Sequence, residues 1–189
     1  DPVPAFSVNN IQLSGGAIFC DELLQAGGAI KSAWSVEVLG HVRADELRTG
    51  WELRCSGNVS IKSGAHIGQE VDVQGELRCG KGLRSGSSIQ VQGLLEVGHG
   101  LYSGEHIEGG NHVQAGWGIK ALGDIRAACS IRAGETLQAD GEIAAGPGYG
   151  VFAGMNVQMD AWPDCAWVRA LNKPKGLVSG FWEATPAFA

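Results

Sequence analysis

The sequence predicts an all-β fold: a single-stranded parallel β-helix, a triangular solenoid of 18 residues per coil and about eight coils, with an irregular C-terminal cap. Three observations carry this prediction. Aliphatic residues recur every six positions without a slip from Leu47, Leu53 and Val59 through Ile131, Leu137 and Ile143 to Tyr149 and Met155. Two residues after each of them sits a small or β-branched residue, from Thr49, Cys55 and Ile61 to Ala121, Ala127 and Val157. A glycine follows three or four residues after the aliphatic one in every hexad except those at Val59, Ile125, Tyr149 and Met155.

In an extended strand residues i and i+2 point to the same side, so the aliphatic residue and its small partner both face inward. Glycine is expected to turn the chain at each corner through its access to positive φ. Three short strands then close a coil, and coils stack at the ordinary inter-strand spacing of about 4.8 Å, giving a prism roughly 40 Å long. The rhythm extends upstream with two phase slips through Ile11, Ile18, Leu24, Ile30, Val36 and Val42, with Leu13, Cys20, Ala26, Ser32, Val38 and Ala44 as inward partners. Such slips are expected as bulges or widened corners. The solenoid is therefore assigned to residues 1–157. The remainder, 158–189, carries Trp162, Trp167, Phe181 and Trp182 and is assigned as an aromatic cap over the apolar cross-section.

Composition narrows the function classes. A net charge of -6 argues against nucleic acid as a partner, because phosphate affinity needs a basic surface. No apolar run approaches a membrane span. Cys20, Cys55 and Cys79 fall at the small inward position, Cys129 at a corner and Cys165 in the cap. No C-x-x-C pair suggests a metal, and no cofactor motif is present. Five dispersed cysteines fit a reducing compartment, so a cytoplasmic location is expected, while a start at Asp1 is compatible with a removed signal peptide.

Catalytic residues are not expected. No serine or cysteine is tied to a histidine, and His106 and His112 fall on different edges of the prism. Three constellations are instead candidate binding elements. The residues just after the aliphatic one must face outward, and on one face they are Lys31, Arg48, His66, Arg84, Tyr102 and Lys120, a basic ridge on an acidic chain. On another face Arg54, Asp72, Gln90 and Glu108 mix signs. Lys81, His99, Trp117 and Glu135, spaced by one coil, should stack along one edge, as either a recognition strip or a solvated edge. Trp34 and Trp51 should also stack, covered either by the segment around Pro4 and Phe6 or by a partner.

The runs VQAGWG at Val113, IKALGD at Ile119, IRAACS at Ile125 and IRAGET at Ile131 resemble bacterial proteins built from I-x-A-G-x-G arrays. The ending MNVQMDAWPDCAWVRA after YGVFAG is similar to the short aromatic, cysteine-containing tail of that group. The resemblance implies a bacterial hexapeptide-repeat β-helix. It differs from the left-handed β-helix acyltransferases, where the small residue precedes the aliphatic one and an excursion loop carries a histidine. The expected function is therefore a non-enzymatic protein-binding module, of the kind that acts as an immunity protein against a bacterial toxin. A bactofilin-like scaffold that self-associates and a glycan-binding β-helix are the alternatives.

Overall fold

The computed structural model describes residues 10–186. Strands of two to four residues wind into about ten turns and build three parallel sheets of 10, 8 and 9 strands. The first face runs from Ile11–Leu13 through Leu83–Ser85 and Ile119–Ala121 to Phe181–Ala184. The second runs from Ile18–Cys20 to Ile143–Ala144, and the third from Leu23–Gln25 to Leu177–Ser179.

Register follows the hexad. Leu83 pairs with Ala65 and Leu101, Ile89 with Val71 and Ile107, and Leu95 with Leu77 and Val113, each one coil apart. The upstream phase slips are absorbed in the same ladders, since Ile30 pairs with both Ile11 and Leu47, and Val42 with both Leu24 and Val59. The interior is one continuous column of Leu, Ile and Val flanked by the small partners. Polar groups inside are small hydroxyls that bond locally. The Ser103 hydroxyl donates to the carbonyl of Ser87 at 2.6 Å, and that of Ser85 to the carbonyl of Gln69. Cys55 and Cys79 are buried in this core, donate to the carbonyls of Gly40 and Ser63, and have thiols pushed above the ordinary range, chiefly by burial.

Four expectations are corrected. Leu13, assigned inward, is exposed, because the first strand has no coil on its outer side among the described residues. Tyr149 and Met155, assigned as inward beats, are also exposed. The clock ends at Ile143, and Val151 and Val168 take the next inward places by pairing with Ile131 and Leu137. The stack is longer than about eight coils because the C-terminal segment adds rungs of its own. Trp167–Ala170, Leu177–Ser179 and Phe181–Ala184 extend the first and third sheets in parallel, and the second sheet alone stops early. The irregular part is an excursion between Val151–Phe152 and Trp167–Ala170, which includes the single-turn helix Trp162–Cys165. Trp162 ties it to the last strand through an edge contact with Phe181, ring centroids 4.7 Å apart.

The corner glycines are the fourth correction. Positive φ occurs only at Gly16, Gly148, Gly154, Gly176 and Gly180 among the described residues, none of them a corner between Leu47 and Ile143. What the corners need is close approach. A Cβ on Gly116 would sit 2.1 Å from the carbonyl oxygen of Gly98 one coil below, and Gly98 stands in the same relation to Gly80.

Candidate binding surface

Parallel register converts each sequence position into a column along the prism. On the first face Lys31, Arg48, His66, Arg84, Tyr102 and Lys120 are consecutive partners, and the column continues into Gln138 and Arg169. Within it the Arg84 guanidinium lies over the Tyr102 ring, 4.6 Å from its centroid. Arg48 is paired with Glu46 at 2.6 Å. Arg84 and Lys120 form no ion pair among the described residues, whereas Arg54, Arg78 and Arg126 on the other two faces each pair with a neighbouring carboxylate.

The edge column forms as its spacing requires. Trp117 N–H donates to the carbonyl of His99, His99 N–H to that of Lys81, and Glu135 N–H to that of Trp117. The rings of His99 and Trp117 lie parallel, centroids 4.1 Å apart. With the rings stacked along the axis, their edges, the positive part of an aromatic quadrupole, point sideways. Trp34 and Trp51 also stack, at 6.0 Å, on a different edge, and each is about half exposed. Pro4 and Phe6, the intramolecular cover considered for them, lie outside the described residues.

Between the ridge and the Trp117 edge runs a groove of about 550 Å³, walled by Arg84, Tyr102 and Lys120 on one side and Trp117 and Glu135 on the other. Its floor is Gly82, Gly100 and Gly118. The floor glycines differ in kind from the corner glycines. Their φ is ordinary, and a Cβ on Gly82 or Gly100 would come no closer than 3.7 or 3.9 Å to the next coil. Neither backbone strain nor crowding excludes a side chain at those two positions.

The period of six sets the ridge and the edge column each in register one coil apart, as expected, but the groove between them was not anticipated. The signal was present: Gly64, Gly82, Gly100 and Gly118 each stand directly before an aliphatic residue, one coil apart. They were masked by the commoner glycines that follow the aliphatic residue. The reading also missed a role for histidine. His41, His106 and His112 accept backbone N–H groups of the next coil through Nδ1, from Asn58, Asp124 and Ser130. At an edge facing the second sheet, Ser87 and Ser88 hydroxyls donate to Glu105 and hold its carboxyl below the usual range, Ser87 contributing most.

No three His, Cys, Asp or Glu side chains gather as a metal-ligand set among the described residues. No helix of the described residues is long and apolar enough to cross a membrane. The chain matches no known family model, and neither the curated proteins nor the solved structures contain a match to it.

Proposed function

We propose that this chain is a non-enzymatic binding module of the bacterial hexapeptide-repeat β-helix kind, holding a macromolecular partner along the edge formed by Arg84, Tyr102, Lys120, His99 and Trp117. The observation that carries this reading is that two cations without ion pairs and an exposed tryptophan line one groove. Arg84 and Lys120, which like Arg43 and Arg132 on the third face form no ion pair among the described residues, line a groove that also carries the exposed Trp117, whereas Arg54, Arg78 and Arg126 are each neutralised by an adjacent carboxylate. Arg84 and Lys120 lie two coils apart on either side of Tyr102, so their fields add over the groove and suit an acidic partner.

An immunity-type protein that blocks a basic toxin would need a continuous acidic face. The second sheet alternates Glu37, Arg54, Asp72, Gln90, Glu108 and Arg126, and does not offer one. The proposal therefore keeps a partner-binding role and favours an acidic ligand over a basic toxin. The test is retention of macromolecules from a source-cell lysate on immobilised protein. The double variant Arg84→Glu, Lys120→Glu is expected to lose the retained species and Arg54→Glu to keep it. Identical retention by all three would remove this edge from the function.

A scaffold role has one observation in its favour. The last strand, Phe181–Ala184, extends the first sheet, and all four of its residues are exposed. An end of this sort can add strands of a second copy. Light scattering over a concentration series is then expected to report growing mass, and a constant mass would dismiss end-to-end growth.

A further inference from the structure

On the edge between the first and second faces, Gly50, Gly68, Gly86 and Gly104 stand one above another where successive coils approach closely. A Cβ on Gly104 would lie 2.0 Å from the carbonyl oxygen of Gly86. Leu122 takes the next place in this column. Its N–H reaches the carbonyl of Ser103 at 3.2 Å, where the four glycines make the same bond at 2.9 to 3.1 Å, and its side chain is 45% exposed. A single exposed leucine is ordinary, and it is the neighbours that set this one apart. Glu105 stands one coil below it and Glu142 one coil above, since Gly123 N–H donates to the carbonyl of Glu105 and Gly141 N–H to that of Gly123. Both carboxylates are exposed, and neither forms an ion pair among the described residues. At the level of Leu122 itself, Asp124 is neutralised by Arg126 at 2.8 Å. The edge therefore presents acid, apolar, acid over two coils.

The groove presents the complement, cation, aromatic, cation over two coils, because Tyr102 pairs with Arg84 on one side and Lys120 on the other, and Trp117 forms the opposite wall. We propose that this groove receives the Leu122 edge of a second copy of the chain, with Leu122 between Tyr102 and Trp117 and with Glu105 and Glu142 of one copy against Arg84 and Lys120 of the next; the proposal rests on the binding-module reading and names its partner. Three features select a second copy. Both triplets are built on the same inter-coil spacing of about 4.8 Å, so charges two coils apart on one copy meet charges two coils apart on the other. Each triplet reads the same from either end, so the match holds whether the two prisms run parallel or antiparallel. Within one chain the triplets lie on different edges of the prism and cannot meet, so only another copy satisfies them. An apolar centre flanked by opposite charges is also the usual anatomy of a specific interface. The contact joins unlike surfaces, which leaves one groove and one edge free at the ends of each pair for further copies.

The test is a charge swap read by light scattering over a concentration series. The natural chain is expected to rise to about twofold the mass of one chain or more. One double variant reverses the groove, Arg84→Glu with Lys120→Glu, and another reverses the edge, Glu105→Lys with Glu142→Lys. Each alone is expected to stay at the mass of one chain. Their equimolar mixture is expected to associate again, because the reversed edge of one fits the reversed groove of the other. Leu122→Gly leaves every charge in place and restores the residue of the four corners below, so it is expected to fold and to associate about tenfold more weakly. Should a double variant melt early, Leu122→Gly decides alone. A natural chain that stays single at every concentration, a mixture that does not associate, or Leu122→Gly associating as tightly as the natural chain overturns the proposal. Growth shared by all the variants overturns it too, and assigns the growth to the ends of the prism. If the natural chain stays single while the groove variant still loses its lysate species, the second copy is the wrong partner and the binding edge stands. If both fail, the edge itself is not the site.

Discussion

Ala133→Trp is expected to be the most destabilising single substitution in the solenoid, costing more than the roughly 1–3 kcal/mol of ordinary overpacking. Ala133 has no solvent exposure and lies in an inward column between Ala115 below and Ala153 above. Its own coil is lined by other alanines at the same position, Ala127 and Ala139. The coil cannot swell to accept an indole, because its backbone is fixed from both sides: Gly134 N–H donates to the carbonyl of Ala115, and the carbonyl of Ala133 accepts from Met155 N–H. The substitution should therefore break rungs rather than bend them. Urea denaturation followed by circular dichroism measures the effect, with Ala121→Trp as a second site on the first face, where exposure is also zero. Arg84→Ala is the outward control, and loses only the contact over Tyr102, worth about 0.5–1 kcal/mol at an exposed site. An Ala133→Trp chain as stable as the natural one would mean that the small column does not face the interior.

These two columns were legible in the sequence because a period of six fixes both which residues face in and which residues meet one coil away. The ridge from Lys31 to Lys120 and the stack of His99 on Trp117 follow from that arithmetic alone. The arithmetic failed where pairing is no longer set by a fixed spacing. Leu137 finds its partner in Val168 across an excursion, and Ile131 finds Val151 past a widened corner. Tyr149 kept the six-residue spacing and yet points outward, because the turn closed by its N–H on the carbonyl of Gly146 spends extra residues before the third face resumes. The tail read as a cap because its Trp and Pro content hides the pairs Trp167 with Phe181 and Val168 with Trp182, which prolong the first sheet.

The groove was illegible for a different reason. Glycine means two things in this chain, and composition counts them together. In one column glycine is required because the coil below leaves no room for a Cβ. At Gly82 and Gly100 in the other a Cβ has room, and its absence leaves a trough whose amides have no partner among the described residues. Only coordinates separate the two, since both columns repeat at the same interval.

That distinction makes an opposite-sign prediction. Gly116→Ala is expected to destabilise the protein by about 2–3 kcal/mol, in the range of strain from forced backbone shifts. Its new methyl would lie 2.1 Å from the Gly98 carbonyl oxygen and 3.0 Å from the carbon, and both atoms are backbone that cannot rotate away. Relief requires the two coils to separate, which weakens the bond from Gly116 N–H to the carbonyl of Val97, now 2.9 Å. Gly100→Ala is the same chemical change sixteen residues earlier. Its methyl would make ordinary contact at 3.9 Å with the Gly118 carbonyl oxygen, and its φ suits alanine. The unfolded chain loses conformational freedom with no penalty in the folded one, so this variant is expected to gain about 0.4–1 kcal/mol. Thermal melts of the two variants beside the natural chain read both signs in one experiment. Two losses of similar size would mean that the floor glycines serve the fold after all. A gain at Gly100 beside a loss at Gly116 would mean that the chain forgoes stability at its groove floor, which a purely structural prism has no reason to do.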